Sequence, residues 1–292
     1  MLAWVESPFQ LLSAVEWAHA AGRRISIAMR LSGPQMEKTA AELLRRGAPV
    51  DEITPWVGIP RSKLSDDKEW LIGDGFSGQF RMVASVLKPK RIVLLDDGAN
   101  TLALADALLD RTPFRRPRRT EGRLTRFLGD VARHRMQTLA GHEALELFTV
   151  FPLGEQRVEA LSARGIRTLR HDFGWTRDAA SPIDLPSDRI LLGSARPTDG
   201  LVTVPDYLRW VSTQAQEAPV VYLPHRRELP DVLAALRNMA GVEVLETGLP
   251  VELVLAGIHR PLEFVTLQSS AATTLELLLA GTGSEFRESV LA

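Results

Sequence analysis

Arg91 to Thr101, RIVLLDDGANT, places the tightest limit on what this chain can fold into. The branched apolar run Ile92 to Leu95 reads as a buried strand, and it ends on two carboxylates and a glycine before a helical pattern resumes at Thr101. Ligands of open parallel sheets bind outside the carboxyl ends of the strands, so Asp96 and Asp97 stand where chemistry is expected. Gly98 allows the backbone to turn sharply behind them and is a candidate substrate contact. A plainer reading is also open, in which Asp96, Asp97 and Asn100 only cap the next helix.

The same plan recurs along the chain. Met1 to Val5 reads as a strand that stops at Glu6, and Ser7-Pro8 is a helix start, with a capping hydroxyl and a proline at the first helical position. A helix N-terminus at a sheet edge favours an anion, which makes Ser7 and Gln10 candidate ligand contacts; capping alone is the plainer role for Ser7. Strand patterns follow at Ile25 to Met29 and Trp70 to Ile72, with a helix at Gln35 to Arg46 between them. Trp70 to Ile72 ends in Gly73-Asp74-Gly75, whose glycines permit close approach of a ligand or another segment. This spacing matches neither a dinucleotide fingerprint nor a phosphate-binding loop of the Walker type.

A further strand is expected at Leu145 to Phe151 and a helix at Glu155 to Arg164, after which the polar, proline-containing stretch Thr176 to Ser187 reads as a linker. The alternation then restarts. Strands are expected at Arg189 to Leu192, Val220 to Leu223, Val242 to Leu245 and Leu262 to Leu267, with helices between and after them. Alternation on both sides of a linker implies α/β architecture with two Rossmann-like parallel-sheet domains facing a cleft, over residues 1–178 and 186–292. Gly281 to Ala292 reads as a polar tail.

Composition narrows the function classes. A formal net charge of -1 over 292 residues argues for no global attraction to nucleic acid. The absence of cysteine excludes a disulfide framework, thiolate metal sites and cysteine catalysis. No apolar run approaches the ~18 residues of a membrane span, and the N-terminus lacks the features of a signal peptide, so a cytoplasmic protein is expected.

Arg111 to Arg135 is the exception to the even charge balance, with nine arginines against Glu121 and Asp130. Its second half predicts an amphipathic helix with Leu124, Phe127, Leu128, Val131 and Met136 on one side. Three readings stay open: a solvated loop and helix, a peripheral contact with an anionic membrane, or a seat for an anionic acceptor. Nucleic acid fits poorly because no aromatic residues interleave with these arginines.

In the second half two strand ends carry chemistry. Val220 to Leu223 runs into Pro224-His225-Arg226-Arg227-Glu228, where a histidine between cations suits anionic oxygens. Leu262 to Leu267 runs into Gln268-Ser269-Ser270, and paired hydroxyls at a helix N-terminus suit a phosphate. Singly, His225 reads as a loop histidine and either serine as a cap. Arg226, with Gly193 and Ser194 after the strand Arg189 to Leu192, completes the candidate substrate-binding set.

Asp96-Asp97-Gly98, then His225, then Ser269-Ser270, with SPFQLLSAVE near the start, resembles the bacterial sialyltransferases and polysialyltransferases. Those enzymes share an acidic-acidic-glycine motif, a His-Pro motif and a paired Ser/Thr motif, in that order, on a GT-B fold. The resemblance implies an inverting, metal-independent glycosyltransferase of surface polysaccharide biosynthesis that needs no cofactor. Its donor would be CMP-sialic acid and its acceptor a glycan. Asp97 would be the general base with Asp96 supporting it, His225 would serve the departing phosphate, and Ser269 and Ser270 would donate to that phosphate. This chain departs from the pattern in having Arg226, not proline, after His225. Another donor such as CMP-Kdo, and a non-catalytic glycan- or membrane-binding protein, are the competing readings.

Overall fold

The computed structural model describes residues 1–31, 33–98, 100–117 and 119–291, so Arg118 of the basic stretch lies outside the described residues. The chain divides into two compact units, Met1–Ala179 and Ala180–Ala292.

In the first unit the elements run β1 (Leu2–Val5), α1 (Pro8–Ala20), β2 (Ile25–Arg30), α2 (Pro34–Arg45), β3 (Val50–Trp56), α3 (Arg61–Asp66), β4 (Glu69–Ile72) and α4 (Gly78–Val86). They continue with β5 (Arg91–Leu94), α5 (Asn100–Leu108), α6 (Arg123–Ala140), β6 (Leu145–Thr149), α7 (Glu155–Ala163), β7 (Ile166–Arg170) and α8 (Gly174–Asp178). The strands form one parallel sheet in the order β3-β2-β1-β4-β5-β6-β7. Strand order reverses between β1 and β4, and this switch point leaves a crevice at the carboxyl edge because the flanking connections leave in opposite directions. Three residues of the expected linker, Thr176 to Asp178, belong to α8.

The second unit runs β8 (Arg189–Leu192), α9 (Val204–Glu217), β9 (Val220–Leu223), α10 (Pro230–Arg237), β10 (Val242–Val244), α11 (Val251–Leu255), β11 (Glu263–Leu267), α12 (Ser270–Leu278) and β12 (Glu285–Ser289). Its sheet is also parallel, in the order β10-β9-β8-β11-β12, with the switch point between β8 and β11. The α/β architecture with two parallel sheets expected from the alternation is the one observed.

The central strands β1, β6, β8 and β9 are buried along their whole length and are mostly apolar, although β6 also buries Glu146 and Thr149 and β8 buries Arg189. Trp70 shows how tightly the first core is tied: it is fully buried, and its indole N–H donates to the carbonyls of Leu64 (3.1 Å) and Asp67 (2.8 Å). Truncation of such a residue to alanine costs about 3–5 kcal/mol.

Three strands depart from the sequence pattern: β3, β7 and β12. All are sheet edges. The polar tail expected after Gly281 in fact pairs β12 with β11, Phe286 stacking on Phe264 with ring centroids 4.5 Å apart. The charged residues that hid this strand are those that keep an edge from pairing with another chain.

Candidate active site

At the end of β1, Ser7 caps α1, its Oγ accepting from Gln10 N at 3.3 Å. The hydroxyl fills the capping role expected of it. Gln10 is buried, and its amide is used twice: Oε1 accepts from Glu6 N (2.8 Å) and Nε2 donates to Asp97 Oδ1 (2.8 Å). The side chain thus links the start of α1, just after β1, to the turn after β5, across the end of the intervening β4. Gly73 leaves room for it, since a Cβ there would stand 2.2 Å from Gln10 Oε1.

Asp97 keeps its carboxylate partly open to solvent. Its Oδ2 accepts from Asn100 Nδ2 (3.1 Å) and from Arg116 Nη1 (3.4 Å). Gly98 has φ of 59°, the left-handed region in which a side chain is strained. Asp96 points the other way and is fully buried. It accepts from Thr101 Oγ1 (3.0 Å), from Thr149 Oγ1 and from Val150 N (2.7 Å), joining the ends of β5 and β6. Asp96 is expected from the sequence to support Asp97; from this buried position it holds the turn that carries Asp97 and does not itself face solvent. Beyond it His171, after β7, is also fully buried, stacked on Phe148 with Nδ1 3.7 Å from Asp96.

Asp74 and Arg116 belong to this group although the sequence reading did not place them there. Asp74 sits at the end of β4, where Oδ1 accepts from Phe76 N (2.9 Å) and Oδ2 from Arg116 Nη2. Burial, then the nearby charge of Asp97, pushes its carboxyl up to about 6 against the opposing pull of Arg116. Glu6 completes the edge, pairing with Arg30 (2.6 Å) and accepting from Ser77 Oγ (3.3 Å). The strand ending in Gly-Asp-Gly was the available signal for Asp74, being of the same form as the one that marked Asp97. Arg116 had no signal of its own within a run of arginines.

In the second unit, Gly193 follows β8 and packs under the loop after β9. A Cβ on it would meet His225 N at 2.5 Å and Glu228 Oε2 at 2.8 Å, so only glycine lets that loop close on the strand end. Glu228 organises the loop from beneath. Its Oε2 accepts from His225 N (2.9 Å), and its Oε1 from Tyr207 (3.1 Å) and Tyr222 hydroxyls, the Tyr207 oxygen in turn accepting from Ser194 N (3.0 Å). Burial raises the Glu228 carboxyl above its ordinary value.

His225 Nδ1 accepts from Arg227 N at 3.1 Å, which leaves the ring proton on Nε2. Burial, then the charges of Arg227 and Arg226, lowers the imidazole to about 4, so at neutral pH it is an uncharged donor.

Across the switch point Ser269 caps α12, its Oγ accepting from Ala271 N (3.2 Å), while Ser270 opens the helix exposed to solvent. Arg196 of the β8 loop donates to Gln268 Oε1 (3.3 Å), linking the two sides of that crevice. Gly193, Ser194 and His225 are thus joined through Glu228, whereas the serines lie one strand further on, beyond β8. No hydrogen bond joins them to His225 among the described residues.

Among the described residues no group of three or more His, Cys, Asp or Glu is arranged to hold a metal ion, and no helix is long and apolar enough to cross a membrane.

The fold and these strand ends define a two-unit α/β protein with polar clusters at the carboxyl edges of two parallel sheets. No protein-family model matches the chain, and no curated relative matches it either. Among solved structures, it is similar to the E. coli heptosyltransferase WaaC with ADP-2-deoxy-2-fluoro heptose, at 12% identity and TM-score 0.46 over 99% of this chain and 94% of that one. It is similar to S. aureus MnaA with UDP, at 12% identity and TM-score 0.48 over 94% and 76%. A UDP-glucose:anthocyanidin 3-O-glucosyltransferase in complex with UDP gives 13% identity and TM-score 0.46 over 98% and 80%. At such identities and TM-scores the likeness transfers no function to this chain.

Proposed function

We propose that this chain is an inverting glycosyltransferase of the GT-B type that takes a sugar from a nucleotide donor, with CMP-sialic acid as the donor. The observation that carries the reading is Asp97, a partly solvent-facing carboxylate held by Gln10, Asn100 and Arg116 beside the switch point of the first sheet. A fixed, accessible carboxylate is what deprotonating an acceptor hydroxyl requires. In this reading the glycan acceptor binds the first unit and the donor the second.

On the donor side, the N-terminus of α12 with Ser269 and Ser270 holds the phosphate. His225, uncharged in the free protein, donates from Nε2 to the leaving oxygen, and Arg226 and Arg196 supply positive charge. Charge building on the phosphate is met by these protein donors. Displacement at the anomeric carbon by the deprotonated hydroxyl inverts the configuration and passes through an oxocarbenium-like transition state.

The test has two arms. Thermal stabilisation by CMP, UDP, ADP and GDP is compared, because a ligand bound only by the folded state raises its apparent stability. The purified protein is then incubated with sugar nucleotides and glycan acceptors and the products are weighed by mass spectrometry. CMP-selective stabilisation with transfer from CMP-sialic acid supports the assignment. Transfer from CMP-Kdo or a UDP- or ADP-sugar alone moves the donor, and no stabilisation with no transfer supports a non-catalytic binding protein.

A further inference from the structure

The amphipathic pattern of α6 predicts Leu124, Phe127, Leu128, Val131 and Met136 on one side; Met136 is buried and Leu128 and Val131 are half-buried, but Leu124 and Phe127 are not covered. The buried face of the helix is Gly129, Ala132, Met136, Leu139 and Ala140. Gly129 sets the contact, since a Cβ there would meet Phe114 O at 3.0 Å. The first turns of the helix are consequently turned outward, leaving Leu124 71% and Phe127 63% exposed. Large apolar side chains left this open at neighbouring positions of one helix mark a surface that something apolar covers.

The basic residues around them decide what that is. Three arginines of the stretch are committed within the unit: Arg111 to Asp106, Arg116 to Asp74 and Asp97, and Arg133 to Asp110 and Asp130. Arg115, Arg119 and Arg123 are exposed, and among the described residues none of the three makes a salt bridge within 4.0 Å, although the charge of Arg115 is felt by the Glu121 carboxylate. α4, which packs beside α6, likewise exposes Met82 and Val86 and is followed by the exposed Lys88. Cations flanking outward apolar side chains on a helix are complementary to an anionic lipid surface. Headgroups take the charge, and the apolar side chains enter the acyl boundary.

We propose that the start of α6, through Leu124, Phe127 and the flanking Arg115, Arg119 and Arg123, docks this protein on the surface of an anionic bilayer. Both interactions are needed for firm attachment. None of these five side chains is among the partners of Asp97, which are Gln10, Asn100 and Arg116, so docking is separable from the chemistry at that carboxylate.

Cosedimentation with phosphatidylcholine vesicles, with and without about a third phosphatidylglycerol, tests this at low and high salt. The protein should pellet with the anionic vesicles, much less at high salt, and not with neutral ones. The triple variant Arg115→Gln, Arg119→Gln, Arg123→Gln should weaken binding about a hundredfold. The double variant Leu124→Ser, Phe127→Ser should weaken it at least about tenfold, because buried apolar area is lost. All five side chains are exposed, so both variants should melt as the parent does. Equal binding to neutral and anionic vesicles, or none to either, overturns the proposal. So does a serine variant that binds like the parent while the glutamine variant loses affinity for heparin, which would make the stretch a seat for soluble polyanions. A concentration-dependent dimer that the serine variant dissolves would assign the surface to a second copy of the chain instead.

Discussion

Gln10 hydrogen-bonds Asp97 over the end of the strand that separates them, Nε2 to Oδ1 at 2.8 Å. The Glu6 amide holds the other end of the same side-chain amide at 2.8 Å. The Asp97 carboxylate is thereby fixed by the first turn of α1, 87 residues away in sequence. Asp97→Asn should lower transfer by on the order of 10²–10⁴-fold while leaving CMP affinity nearly unchanged, as read by initial rates and calorimetry. Gln10→Ala should lower kcat less, with the same donor affinity. An Asp97→Asn protein that retains more than about a tenth of its activity would exclude it as the base, leaving Asp74 and Glu6.

Gly73 tests the same bridge from below. Gly73→Ala puts a methyl against Gln10 Oε1, so the amide must move and Asp97 with it. A misplacement of about 1 Å can cost on the order of 10²-fold in rate, whereas overpacking costs about 1–3 kcal/mol in stability. A strong loss of turnover with a folded, CMP-binding protein is the expected outcome. Unchanged turnover would show that the bridge is dispensable.

Asp74 should make the first unit's stability depend on pH with a defined sign. Its folded carboxyl lies at about 6 against an ordinary 3.8, so the folded state holds this proton more tightly than the unfolded chain. The associated stability is complete below 3.8 and is lost as pH rises through about 6. Asp74→Asn removes this loss and should stabilise the protein above pH 6 by on the order of 1–3 kcal/mol, while lowering activity through the altered setting of Arg116. Thermal melts of both proteins across this range should converge in acid and separate towards neutrality.

His225 has the opposite sign. Its imidazole is lowered from 6.5 to about 4, so the stability it contributes is complete above 6.5 and is lost as pH falls through about 4. A His225→Gln variant should lack this slope. In the reaction His225→Ala should chiefly lower turnover, whereas Ser269→Ala with Ser270→Ala should weaken CMP at least about tenfold, since hydrogen bonds to a charged group contribute ~1.5–3 kcal/mol. Unchanged CMP affinity in a folded double serine variant would remove the phosphate from α12.

Much of this organisation is legible along the chain. The interior strands declare themselves because burial on both faces demands unbroken apolar runs, as in Ile92 to Leu95. Their polar ends stand out for the same reason, and Asp97, His225, Ser269 and Ser270 all follow such apolar runs. Edge strands escape that demand. β3 carries Asp51, Glu52 and Pro55, and β12 reads EFRES, because an edge needs only one apolar side and is safer with charges on it.

By itself, then, the sequence determined the alternation, the two parallel sheets and the strand ends where chemistry can sit, since these follow from local periodicity and turn chemistry. Tertiary structure alone decided how adjacent residues divide their work. Asp96 and Asp97 are neighbours, yet one is buried against Thr149 and Val150 and the other faces Gln10 and Arg116. Packing likewise turned Leu124 and Phe127 outward and drew Arg116 out of a run of arginines into the site. Such assignments rest on contacts between strands and loops distant in sequence, and a side chain's partners across a sheet edge leave no periodic trace in the chain that carries it.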